Sequence, residues 1–142
     1  QALTSAALVP PDARRIVYTS ESGPKIFQYD LAERRQLPDL VSFEENKGKF
    51  FFDVAFDRAG RLLVVNGLGI DAYDLKGALT RSYPLDSFGW ASMSVPVAGT
   101  HVYATNFFSG QIAKLDLESG AILARADTGI RKSLSGAAEF PG

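Results

Sequence analysis

From Phe51 to Ser87 short apolar or alternating runs are separated by turn residues. Phe51-Phe52-Asp53-Val54-Ala55-Phe56 leads through Asp57-Arg58-Ala59-Gly60 into Arg61-Leu62-Leu63-Val64-Val65-Asn66. Gly67-Leu68-Gly69 then separates that run from Ile70-Asp71-Ala72-Tyr73-Asp74-Leu75. Lys76-Gly77 separates the latter from Ala78 to Leu85. Four such runs joined by tight turns predict a four-stranded antiparallel meander. No segment carries a convincing helical period.

The same unit occurs on either side. Ile26-Phe27-Gln28-Tyr29-Asp30-Leu31, Ile70 to Leu75 and Ile112-Ala113-Lys114-Leu115-Asp116-Leu117 align on one pattern. Asp30 and Asp74 are 44 residues apart, and Asp74 and Asp116 are 42 apart. A period of about 40–45 residues with four strands per unit is the spacing of a β-propeller blade. The predicted class is all-β, a partial β-propeller of three four-stranded antiparallel blades plus the first strand of a fourth. The blades cover residues 3–41, 50–86 and 90–128, and 133–142 begins the next. In the first blade the strands are Thr4–Val9, Arg15–Ser20, Lys25–Leu31 and Gln36–Val41, with turns at Pro10–Ala13 and Glu21–Pro24. Pro38 suits an outer strand, which tolerates the loss of a backbone donor. Residues 42–49 cross to the second blade. Three blades do not close a ring, because unpaired edges and apolar blade faces would stay exposed. The expected partners of the scaffold are therefore the remaining blades of a larger propeller, or copies of this chain.

Composition narrows the function classes. A hydrophobic content of 46% supports a packed core rather than disorder. With 15 basic and 16 acidic residues the net charge is −1, which gives no electrostatic reason to expect nucleic acid. No apolar run reaches the roughly 20 residues of a membrane span. The absence of cysteine removes disulfides and thiolate sites and fits cytosol or periplasm alike.

Several residues are candidates for chemistry. Asp30, Asp74 and Asp116 recur before the outer turn, where an Asp caps a hairpin by bonding nearby backbone. His101, the single histidine, aligns with Arg15 and Arg61 and reads as a solvated strand start. Ser20, Asn66 and Asn106 end the second strands and share one face of the ring with the blade-to-blade loops. There they either cap loops or supply oxygen ligands to a divalent cation. Phe88, Trp90, Phe107 and Phe108 fall in loops on that face, either as packing between blades or as an apolar contact surface. Gly67 and Gly69 precede no helix and form no phosphate loop. Glu44, Glu45, Lys47 and Lys49 are mixed charge in a crossing loop and read as solvated.

Asn106 to Gly120, with its small-residue loop, alternating strand and Asp before a short Gly turn, resembles the YVTN propeller repeat. Asp53-Val54-Ala55-Phe56-Asp57-Arg58-Ala59-Gly60-Arg61-Leu62-Leu63-Val64 is similar to the NHL and SMP-30/gluconolactonase-like repeats. The resemblance spans nearly the whole chain. Its members include lactonases, electron-transfer partners and modules that bind proteins or sugars. For the SMP-30-like lactonases it implies Ca²⁺ or another divalent metal near the channel, polarising a lactone carbonyl. Asp53 and Asn106 are the counterparts of its ligands, while Ser5-Ala6-Ala7-Leu8 and Ser92-Met93-Ser94-Val95 offer no carboxylate. Two functions follow as expectations. The first is a non-catalytic scaffold presenting Asn66, Phe88, Trp90, Asn106, Phe107 and Phe108 to a protein or carbohydrate. The alternative is a metal-dependent lactone hydrolase.

Overall fold

The computed structural model describes residues 5–20 and 23–140. Thr4, the Glu21–Ser22 part of the first blade's second turn, and Pro141–Gly142 lie outside the described residues. Among the described residues twelve strands form three sheets. The first holds β1 (Ala6–Leu8), β2 (Arg15–Tyr18), β3 (Ile26–Asp30) and β4 (Arg35–Val41). The second holds β5 (Asp53–Phe56), β6 (Leu62–Val65), β7 (Gly69–Tyr73) and β8 (Leu79–Pro84). The third holds β9 (Trp90–Ser94), β10 (His101–Asn106), β11 (Gln111–Asp116) and β12 (Ile122–Asp127). Within each sheet the strands follow chain order and pair antiparallel. The first strands of successive sheets, β1, β5 and β9, lie side by side. Three meanders fanned about their first strands are blades of a β-propeller.

The middle blade shows why the fan is stable. Leu62-Leu63-Val64-Val65 is buried on both faces, as a continuous apolar run requires. Its side chains alternate between two cores because successive residues of a strand point to opposite sides. Leu62 and Val64 pack with Val17, Ile26, Val41, Val54 and Phe51 of the core toward blade 1. Leu63 and Val65 pack with Trp90, Val102, Ala113 and Leu115 toward blade 3. Near the axis one carboxylate ties the three first strands together. Asp53 Oδ1 accepts from Ser5 Oγ at 2.6 Å, and its Oδ2 accepts from the Met93 backbone N–H at 2.9 Å. At the outer edge Tyr83 Oη donates to the Leu117 carbonyl at 2.6 Å, joining blades 2 and 3.

The structure refines the strands and loops read from the sequence. The crossing loop over 42–49 contains a 3-10 turn, Glu44–Asn46, held by Asn46 N–H to the Phe43 carbonyl and Asn46 Nδ2 to the Ser42 carbonyl. The first strand of the blade expected over 90–128 opens at Trp90 and ends at Ser94. Residues 133–140 form no strand. A first strand acquires its ladder from the second strand of its own blade, and no such partner lies among the described residues.

The outward flanks of the two end blades differ. On blade 1 the cross-strand pairs Leu8–Ile16, Ile16–Tyr29 and Tyr18–Phe27 share the side facing away from blade 2. The rings of Tyr18 and Phe27 stack there, 5.0 Å apart. On blade 3 the corresponding side carries Ser92, Ser94, Tyr103, Thr105, Ile112 and Lys114. Part of it is covered by the chain's own segment after β12 through Glu139, which accepts from Tyr103 Oη at 2.7 Å and lies 3.0 Å from His101 Nε2. His101 is therefore not the solvated residue expected from its alignment with Arg15 and Arg61. Its side chain is mostly covered, paired with Glu139 and set edge-on to Tyr103.

Candidate functional site

In an antiparallel meander alternate connections emerge at opposite ends of the sheet. The β2–β3, β6–β7 and β10–β11 loops, together with the crossings 42–52 and 85–89, lie at one end, here the crossing end. The remaining hairpins lie at the other, the turn end.

The turn end is built on repetition. Asp30 Oδ1 accepts from the Ala32 and Glu33 amides, and Asp74 Oδ1 from the Lys76 and Ala78 amides. Asp116 Oδ2 accepts from Ser119 N–H and Ser119 Oγ. These bonds favour the ionised form and hold all three carboxyls below the usual Asp value. The largest causes are the Glu33 amide for Asp30, the Ala78 amide for Asp74 and the Ser119 hydroxyl for Asp116. The repeated acids are hairpin caps.

The crossing end is built on phenylalanine. Phe50 and Phe52 stack with centroids 5.7 Å apart, and Phe50 meets Phe88 edge-on at 5.9 Å. Phe88 stacks on Phe108 at 6.0 Å, and Phe108 meets Phe107 edge-on at 5.4 Å. All four separations lie in the range favoured by aromatic pairs. The strip runs across three chain segments and two blades. Phe50, Phe88 and Phe108 are 53%, 46% and 49% exposed, and Leu68 beside them is 59% exposed. At the Phe50–Phe52 end the strip opens into a groove of about 340 Å³ lined also by Ser20, Gly23, Pro24, Lys49 and Phe51.

Two asparagines at the same repeat position hold this end. Asn106 is fully buried. Its Oδ1 accepts from the Phe108 and Ser109 amides at 3.0 Å, and its Nδ2 donates to the Phe88 carbonyl at 3.1 Å. One side chain thus fixes the backbone of two strip residues. Asn66 Oδ1 accepts from the Leu68 amide at 3.0 Å, while its Nδ2 donates to buried Asp71 at 2.9 Å. Asp71 also accepts from Ser82 Oγ at 2.7 Å. Gly89 completes the lock. Its N–H donates to the Gly67 carbonyl at 2.8 Å, and its carbonyl accepts from the Phe107 amide at 2.9 Å. At φ +118° it adopts a conformation that suits glycine, and a Cβ there would stand 2.5 Å from Asn106 Oδ1 and 2.7 Å from the Phe108 ring. A Cβ at Gly67 would likewise meet Phe88 at 2.7 Å and Phe52 at 3.2 Å.

The sequence-derived candidates divide accordingly. Phe88, Phe107 and Phe108 come together as one surface. Trp90 does not join them: it opens β9, is completely buried between blades 2 and 3, and packs among Leu63, Val65 and Val102. Its size and apolar ring suit the interblade core, and its indole N–H has no acceptor among the described residues. Asn66 and Asn106 act on the loops from within. Asp53 has both oxygens engaged by Ser5 and Met93, and Asn106 Oδ1 serves two amides. Among the described residues no three His, Cys, Asp or Glu side chains converge as a cation site. Phe50 and Phe52 were missed as site residues. Their signal was the Phe50-Phe51-Phe52 run just ahead of an alternating strand, of which only Phe51 turns into the core.

No family model matches the chain, and no curated protein matches it. Solved structures do. The crystal structure of the computationally designed Ika8 protein superposes with a TM-score of 0.68 at 14% identity, over 99% of this chain and 40% of that one. A chain of the mitotic checkpoint complex superposes with a TM-score of 0.67 at 13% identity, over 92% of this chain and 37% of that one. At such identities the likeness is one of fold. The chain spans about two fifths of the length of each. Among the described residues no helix is long and apolar enough to cross a membrane.

Proposed function

We propose that this chain is part of a non-catalytic β-propeller scaffold of YVTN/NHL-like repeat type that meets another protein at its crossing end. The observation that carries the reading is the exposed phenylalanine strip. A contiguous apolar surface held on a rigid scaffold marks an interaction site. The likeness to a chain from a multi-protein complex supports a protein partner. The aromatic flank of blade 1, with Leu8, Ile16, Tyr18, Phe27 and Tyr29, is read as the seat of a further blade, since an apolar sheet face is stable when another sheet covers it.

Hydroxyl-radical footprinting of the protein with and without its co-purified partner tests the proposal. Protection of Phe50, Phe88 and Phe108 is expected. Protection confined to the Asp30, Asp74 and Asp116 turns at the opposite end overturns it.

A further inference from the structure

Building on the binding reading above, we infer that the strip receives an extended, apolar segment of the partner protein, and that an acidic side chain of that segment pairs with Lys132.

The strip is pre-organised. Its rings are carried by backbone that Asn106, Gly67 and Gly89 hold in place, so little freedom is lost when a ligand settles on them. Its four ring-to-ring steps of 5.4–6.0 Å accommodate at most about seven extended residues at roughly 3.3 Å each. The groove beside Phe50 and Phe52 offers a recess for one large apolar side chain at that end.

The other end sets the charge. The Lys132 amide donates to the Phe108 carbonyl at 3.1 Å, which fixes the Lys132 backbone beside that of Phe108, at the last step of the strip. Neighbouring charges are matched: Arg131 with Asp127, Asp86 with Arg125, and Lys49 with Asp71. Lys132 is exposed, and its ammonium has no partner among the described residues. An unmatched cation bordering an apolar surface selects a ligand with a carboxylate at the corresponding place. The strip is also wholly phenylalanine, without ring hydroxyl or indole N–H. The nearby polar groups of Asn66, Asn106 and Asp71 are engaged internally. A sugar needs such groups for its hydroxyls, so the chemistry favours peptide over carbohydrate.

Selection of phage-displayed random heptapeptides on the protein, followed by fluorescence polarisation with the recovered peptides, tests this. The recovered sequences are expected to combine two or more large apolar residues with an Asp or Glu. Phe88→Ser with Phe108→Ser lowers affinity at least about tenfold, as loss of aromatic anchors does. Lys132→Glu lowers affinity for the acidic peptides about tenfold and restores it for the same peptides carrying Lys in place of the acid. Circular dichroism confirms that each variant keeps its strand signal. Recovered peptides without acidic preference, or indifference to Lys132→Glu, overturn the inference and leave the crossing-end reading standing. Peptide binding unchanged by the double phenylalanine variant places the site elsewhere and removes both. Failure to recover any peptide, or binding of maltohexaose in its place with loss in the double variant, also overturns the inference.

Discussion

The two ends of the blades are made from the same strands and differ in kind. At the turn end the same device recurs: Asp30, Asp74 and Asp116 each close a hairpin by accepting local amides. At the crossing end a repeated device, Asn66 and Asn106, supports something that does not repeat, a strip of phenylalanines drawn from separate segments. In this chain recurrence at a fixed place in the repeat marks a structural requirement. The departures from the repeat carry the exposed aromatic surface.

The largest expected effect breaks the crossing end. Asn106→Ala leaves the Phe88 carbonyl and the Phe108 and Ser109 amides without their buried partner. Stability should fall by about 3 kcal/mol in urea unfolding, since unmet buried polar groups are costly. The capping substitution Asp74→Ala at the exposed turn end should cost distinctly less in the same experiment. If the two losses were equal, the contrast between the ends would fail.

Next comes Asp53→Ala, which removes the charged acceptor shared by blades 1, 2 and 3. A loss of about 2 kcal/mol is expected in the same assay, because hydrogen bonds to ionised groups are the stronger kind. Binding at the crossing end should survive it in the folded protein, which separates the axial tie from the contact surface.

Acid tests the turn end. The carboxyls of Asp30, Asp74 and Asp116 are held below their ordinary value of 3.8 in the folded state. Their contribution is present above that pH and is lost as pH falls through their lower folded values. The urea midpoint should therefore drop below pH 4. Combining Asp74→Asn with Asp116→Asn should flatten that limb while leaving the midpoint's trend above pH 5 as it is. A limb unchanged by the pair would show that other carboxylates carry it.

The smallest stability effect belongs to the strip itself. Phe88→Ser removes a half-exposed ring that stacks on Phe108 and meets Phe50, so the unfolding free energy should fall by about 1 kcal/mol, less than for Asn106 or Asp53. A larger loss would mean that the phenylalanines hold the blades together rather than face a partner.

Much of the fold was legible along the chain. The period of 44 and 42 residues between Asp30, Asp74 and Asp116 fixed the number of blades and the phase of their strands. Each of those acids could be read as a cap because the backbone amides it accepts from lie within four residues of it. The candidate site was legible only in part. Phe88 and Phe108 were found as loop aromatics, but Trp90, two residues from Phe88, was placed with them and is core. A residue's side of a strand depends on where the strand begins, and a shift of one residue moves a ring from surface to interior. Phe50 and Phe52 show the converse, flanking the buried Phe51 in one apolar run. Residues 133–140 read as a strand by pattern and form none, because pairing needs a second strand that pattern alone does not supply.

By itself, then, the order of residues decided the all-β class, the repeat and the hairpin caps, all of which rest on contacts between near neighbours in sequence. The packed molecule decided the rest. That Phe50, Phe88 and Phe108 form one surface, that Asp53 spans three blades, and that the Lys132 backbone bonds that of Phe108 all depend on groups brought together over tens of residues. Such meetings are set by how the blades pack on one another, and no local pattern records them.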